Sequence, residues 1–98
     1  MIAFLVGCES TEDKVYSYFK CGEVATVIEH EKEAKMARTK GAFALKKAGF
    51  KGDIGAFTMN LSQRYVDDLE LYKYGITAQM SILNDVYNSS ECQSSYES

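Results

Sequence analysis

The longest run of apolar residues at helical spacing lies between Leu61 and Tyr87, where Leu61, Tyr65, Leu69, Tyr72, Ile76, Met80, Leu83 and Tyr87 follow at steps of three or four. Such spacing lays a continuous apolar stripe along one side of a helix, and the stripe needs a partner surface. Tyr74-Gly75-Ile76-Thr77 interrupts it and opens two architectures. Read as a break, Lys73 closes one helix, Gly75 takes the left-handed position after it, Ile76 folds back, and Thr77 caps the next helix. Read as an interruption only, Gly75 costs about 1 kcal/mol relative to alanine and one helix continues for about 40 Å. A helix that long overhangs a domain with a radius of gyration of about 13 Å and would mark a dimer seam. The order of the cap residues favours the break.

Upstream, the pattern reads as short strands around one helix. Met1 to Val6 is apolar and ends at Gly7, as a buried strand would. Ser10-Thr11-Glu12-Asp13 could cap a helix to about Phe19, but Val15, Ser17 and Phe19 alternate with Tyr16 and Tyr18, and aromatic and β-branched residues favour strands. The preferred reading is a hairpin, with residues 14–19 paired to Val24–Glu29 through a turn at Lys20-Cys21-Gly22-Glu23. A helix then runs from Glu31 to Ala48, with Glu31 and Glu33 at its start and Lys46 and Lys47 at its end, as the helix dipole favours. Its stripe of Ala34, Ala37, Gly41, Ala44, Leu45 and Ala48 is mostly small and suits close packing on a sheet or another helix, and Gly49 ends it. Lys51-Gly52-Asp53 turns the chain into Ile54–Met59, read as a strand completing a right-handed β-α-β unit. The expected fold is therefore α+β: about four strands, one helix packed on them, and a C-terminal helical pair or single long helix. Residues 1–88 form one globular domain on this reading, and the Ser-rich 89–98 a disordered tail.

Composition changes this picture little: 46% hydrophobic and 26% charged residues are ordinary for a globular domain and exclude an intrinsically disordered chain. With no proline, the glycines are expected to carry the punctuation. Charge is more informative. Between Ala34 and Gly52 stand Lys35, Arg38, Lys40, Lys46, Lys47 and Lys51 and no acid, whereas all fourteen acids lie elsewhere, which is a dipolar layout suited to a binding face. Cys8, Cys21 and Cys92 are odd in number and show no paired spacing, so they read as reduced thiols of a cytoplasmic protein. Leu5-Val6-Gly7-Cys8 resembles a bacterial lipoprotein cleavage box, but seven residues without Lys or Arg precede the cysteine, so the cytoplasmic reading is preferred. No segment approaches the roughly 20 apolar residues of a membrane span.

Candidate chemistry is sparse. Cys8 follows an expected strand, yet Glu9, Glu12 and Asp13 disfavour a thiolate. His30, the only histidine, sits between Glu29 and Glu31, and no second histidine or cysteine pair completes a metal site with Glu33. No catalytic residue, cofactor site or metal site is expected. Met36 and Phe43 project away from the alanine stripe among Lys35, Lys40, Lys46 and Lys47, a pattern suited to phosphates with a stacked ring. The competing reading buries Phe43 against the C-terminal helix, with Asp67, Asp68 and Glu70 matching the lysines. Leu71, Tyr74 and Ile82 fall off the main C-terminal stripe and would form a second apolar patch if exposed. Gly75-Ile76-Thr77 resembles the turn of a helix-turn-helix DNA reader, but the helix after it carries Asp85 and no Arg or Lys, so a plain αα-corner is preferred.

These residues point to a non-enzymatic binding protein that occupies a surface of a larger protein, using Met36, Phe43, Lys40, Lys46, Lys47, Leu71, Tyr74 and Ile82. Small, motif-poor, cytoplasmic proteins of this kind are common among phage and mobile-element products that inhibit host nucleases or defence complexes, anti-CRISPR proteins included; the analogy is one of size and composition. A homodimer is compatible with the same features. The alternative is a nucleic-acid or nucleotide binder using the basic segment 34–52.

Overall fold

In the computed structural model, which describes residues 10–97, the chain forms five α-helices and one short 3-10 turn. They are α1 (Thr11–Val27), α2 (Glu31–Lys47), α3 (Ile54–Leu69), the 3-10 turn Leu71–Lys73, α4 (Ile76–Tyr87) and α5 (Ser90–Tyr96). The described residues contain no strand, which overturns the expected α+β fold and its four-stranded sheet. The expected strand Met1–Val6 and the candidate Cys8 lie outside the described residues.

The expected hairpin is a single helix. Ser10 caps it, its Oγ accepting from the Asp13 N–H at 3.1 Å, and Glu12 and Asp13 occupy the first turn. Val15, Tyr16, Phe19 and Gly22 then fall at steps of one, three and three, which is one helical face; the two-residue alternation of 15–19 is a coincidence within a short window. Gly22, expected in a turn, is buried mid-helix. A Cβ there would lie 3.2 Å from Arg38 Cγ and 3.7 Å from Ala37 Cβ, so its missing side chain lets α2 approach. Gly41 answers it from α2, where a Cβ would lie 3.2 Å from Tyr18 Cβ. The small stripe of α2 does pack closely, with Ala34, Ala37 and Gly41 buried against α1.

The end of α1 gives no local signal because a glutamate fills a glycine position. Glu29 is left-handed at φ 66°, and the N–H groups of Glu29 and His30 donate to the carbonyls of Thr26 and Ala25 at 3.0 and 2.8 Å. Those two bonds are the Schellman pattern, which usually places glycine at this point. α2 ends the same way with the expected residue, Gly49, at φ 74°.

Ile54–Met59, expected as a strand, opens α3 because the Asp53 carboxylate caps it, accepting from Gly55 and Ala56 N–H at 2.9 and 3.3 Å. The C-terminal stretch does break, though not as read. Glu70 is the left-handed residue (φ 50°), and Gly75 is extended (φ −73°, ψ 172°) as the N-cap of α4. Ser90–Tyr96, expected in a disordered tail, is helix α5, capped by Ser89 and fastened to α1.

That fastening is a Cys21–Cys92 disulfide with a Cα–Cα distance of 5.2 Å, which corrects the expectation of three reduced thiols. Spacing could not show it, because the partners stand 71 residues apart. Both cysteines are fully buried and, with Ala37, Val86 and Tyr96, form one part of the core. The Tyr96 hydroxyl also donates to the Cys21 carbonyl at 2.7 Å. The other part of the core sets Val15 and Tyr16 of α1 against Leu61 of α3, with Phe19, Leu45, Phe57 and Tyr65 around them. No helix among the described residues is long and apolar enough to cross a membrane.

Candidate functional site

Two surfaces combine shape with side chains that lack a partner. The first is a groove of about 650 Å³ between α1 and α2, lined by Thr11, Lys14 and Tyr18 from one helix and Thr39, Lys40, Phe43, Ala44, Lys47 and Ala48 from the other. The helical spacing aligns its walls: Thr11, Lys14 and Tyr18 share a face of α1, as do Lys40, Phe43 and Lys47 on α2. Phe43 is 65% exposed, so it is not the core residue of the competing reading. The expected charge matching is also absent. Asp68 accepts instead from the Tyr16 hydroxyl at 2.7 Å, and Glu70 pairs with Lys73 at 2.9 Å. Among the described residues, no carboxylate lies within 4.0 Å of Lys14, Lys46 or Lys47. Lys40 is committed elsewhere, since its Nζ donates to the Ser94 carbonyl at 3.0 Å and to that of Glu97.

A hollow of about 240 Å³ continues the groove toward α5 and shares Lys14 and Tyr18 with it. The Glu91 carboxylate beside this hollow is already held by Ser17 Oγ at 2.5 Å and Lys20 Nζ at 3.0 Å. Burial alone would raise the Glu91 carboxyl, but these hydrogen bonds outweigh it and keep the group below the usual carboxylate range.

The second surface lies over α3 and the link to α4. Met59 and Val66 stand two turns apart on one side of α3 and are 73% and 43% exposed. Beyond them Tyr65, Val66, Leu69, Leu71 and Tyr72 line an apolar dent of about 140 Å³. The Tyr65 hydroxyl is buried and has no hydrogen-bond partner among the described residues, and burial pushes its pKa up to about 12. Leaving such a donor unpaired costs about 1–3 kcal/mol.

The eight residues expected at a partner surface are distributed unevenly. Lys40, Phe43 and Lys47 meet in the α1–α2 groove, and Leu71 lines the α3 dent with Tyr74 half-exposed beyond it. Lys46 is exposed outside the groove, and Met36 and Ile82 are partly buried and belong to neither surface. Thr11, Lys14 and Tyr18 escaped sequence reasoning because the hairpin reading of 14–29 leaves no helix there to pair with α2, and the strand reading of Ile54–Met59 separates Met59 from Val66, which share a side of α3.

His30 stacks on Tyr87 with ring centroids 4.6 Å apart, and Tyr87 stacks on Tyr96 at 5.0 Å. Its Nδ1 lies 3.3 Å from the Tyr87 hydroxyl and 4.0 Å from Glu33. This ladder joins the α1–α2 junction to α4 and α5. Among the described residues, no group of three or more His, Cys, Asp and Glu side chains is placed to hold a metal ion. Comparison with known protein families, characterised proteins and solved structures finds no match.

Proposed function

We propose that this chain is a non-enzymatic binding protein that acts by occupying a surface of a larger protein, with the α3–α4 face as its contact. One observation carries the reading. Large apolar side chains, Met59 at 73%, Val66 at 43% and Tyr72 at 66% exposure, stand along α3 and the link to α4, and Val66 and Tyr72 line an apolar dent there with Leu69 and Leu71. Exposed apolar area of this kind is stabilised by a partner. Tyrosine and methionine are also favoured at interface centres. A second copy of the chain is one protein that could fill the face.

The Cys21–Cys92 pair supports an oxidising compartment as the working place, in preference to the cytoplasm. It also counts against a target such as a cytoplasmic nuclease or defence complex. The nucleic-acid alternative draws support from Lys46 and Lys47 of α2, which have no carboxylate within 4.0 Å among the described residues, and it predicts binding that weakens steeply with salt.

The test is capture of partners by the oxidised protein and by two variants, Met59→Ser/Tyr72→Ala and Lys46→Glu/Lys47→Glu, with and without nuclease. A protein partner that survives nuclease and the lysine changes, and is lost with Met59→Ser/Tyr72→Ala, supports the reading. Sedimentation of the same samples reports self-association. Recovery of nucleic acid, abolished by the lysine changes alone, would replace the proposed function with the alternative.

A further inference from the structure

We infer that the α1–α2 groove is a binding site for a small amphiphilic anion, a single apolar chain carrying one carboxylate. This site is separate from the α3–α4 face and does not depend on its role.

At about 650 Å³ the groove falls within the range of small-molecule sites, about 300–1,000 Å³. Its surface is chiefly carbon: the Phe43 ring, the Tyr18 ring, the methyls of Ala44 and Ala48, and the stems of the lysines. Phe43 gains most, because it is 65% exposed in the free protein and a ligand chain lying on it removes that area from water.

Charge then selects the head group. Among the described residues no acid lines the groove. Lys14 on one wall and Lys47 on the other have no carboxylate within 4.0 Å among the described residues, whereas Lys40 is occupied by the α5 carbonyls. Two available ammonium groups flanking an apolar floor suit one anionic head with an apolar body. A nucleic-acid backbone would need a row of cations along its phosphates and would leave the carbon floor uncovered. The Thr11 and Thr39 hydroxyls at the margin can donate to the second carboxylate oxygen.

The test is a titration of the oxidised, ¹⁵N-labelled protein with sodium decanoate below its micelle concentration, followed by amide shifts. Decyltrimethylammonium, with the same chain and the opposite charge, is run in parallel, as is a short DNA duplex. The expected result is saturable movement of amides in Thr11–Tyr18 and Thr39–Ala48, with the cation binding about tenfold more weakly or not at all. Lys14→Gln/Lys47→Gln is expected to weaken decanoate by about tenfold, from two exposed ion pairs. Phe43→Ser should weaken it by at least as much. All three positions are exposed, so the variants should keep the parent melting temperature, which is measured alongside. Equal binding of the cation, no saturable shift in the groove, shifts confined to the α3–α4 face, or groove shifts with DNA but not decanoate would each overturn the inference.

Discussion

Breaking the Cys21–Cys92 bond should cost this fold a large part of its stability. The bond joins positions 71 residues apart, nearly the whole of the described chain. In the chain-entropy account, closing a loop of that length removes about 4 kcal/mol of freedom from the unfolded ensemble. A domain of this size has only about 5–15 kcal/mol to lose. At about 4–8 °C per kcal/mol, reduction should lower the melting temperature by about 15–30 °C. The folded state should yield first at α5. Its seven residues are too few to hold a helix in isolation, and its remaining ties include the Tyr96–Cys21 hydrogen bond, the Tyr87–Tyr96 stack, the Lys40 contacts and the Glu91 cluster. The assay is a pair of thermal melts with and without reductant, repeated on Cys21→Ala/Cys92→Ala, with hydrogen exchange reporting whether α5 amides lose protection before those of α1. A difference below about 5 °C on full reduction would refute the entropy argument. Alkylation of both cysteines without reductant would refute the pairing itself.

Further expectations concern single positions. Glu29→Gly should stabilise by about 0.5–1 kcal/mol, because glycine enters the left-handed region without the steric cost borne by Glu29 at φ 66°; a chemical denaturation midpoint reads it. Gly41→Ala should destabilise by about 1 kcal/mol, since the new methyl meets Tyr18 Cβ, which moves only with the α1 backbone. Gly22→Ala, facing the flexible Arg38 stem, should stay within about 0.5 kcal/mol of the parent. Tyr65→Phe should stabilise the protein by about 1 kcal/mol by deleting a hydroxyl without a partner among the described residues. It should also flatten the alkaline limb of the stability profile. The folded pKa, at about 12, lies above the unfolded value, so the neutral hydroxyl's contribution is complete below pH 10 and lost as pH rises toward 12. Glu91 has the opposite sign. Its pKa is lowered in the folded state, so its contribution is present above the unfolded carboxylate value and lost as pH falls through the folded one. Glu91→Gln should therefore reduce the difference in stability between neutral and acidic pH.

By itself the sequence determined what local chemistry can determine. Helix α2 was legible from its acids, its lysines, its small stripe and Gly49, and the break after α3 from a cluster of turn residues. The basic face of α2 and its outward Phe43 were legible too, because charge and helical phase are properties of one segment. Whether residues 14–29 made two strands or one helix was undecided locally. Tyr16, Tyr18 and Phe19 suit either state, and Gly22 signals a turn until an opposing helix needs the space. Glu29 and Glu70 hide helix ends because each takes a left-handed conformation that its own preference disfavours. Only the tertiary structure brought Cys92 to Cys21 across 71 residues and thereby ordered a segment whose composition reads as a tail. It alone set Lys14 and Tyr18 opposite Phe43 and Lys47. A groove between two helices is a property of their register and separation, and those depend on packing between segments, which no single window of the chain contains.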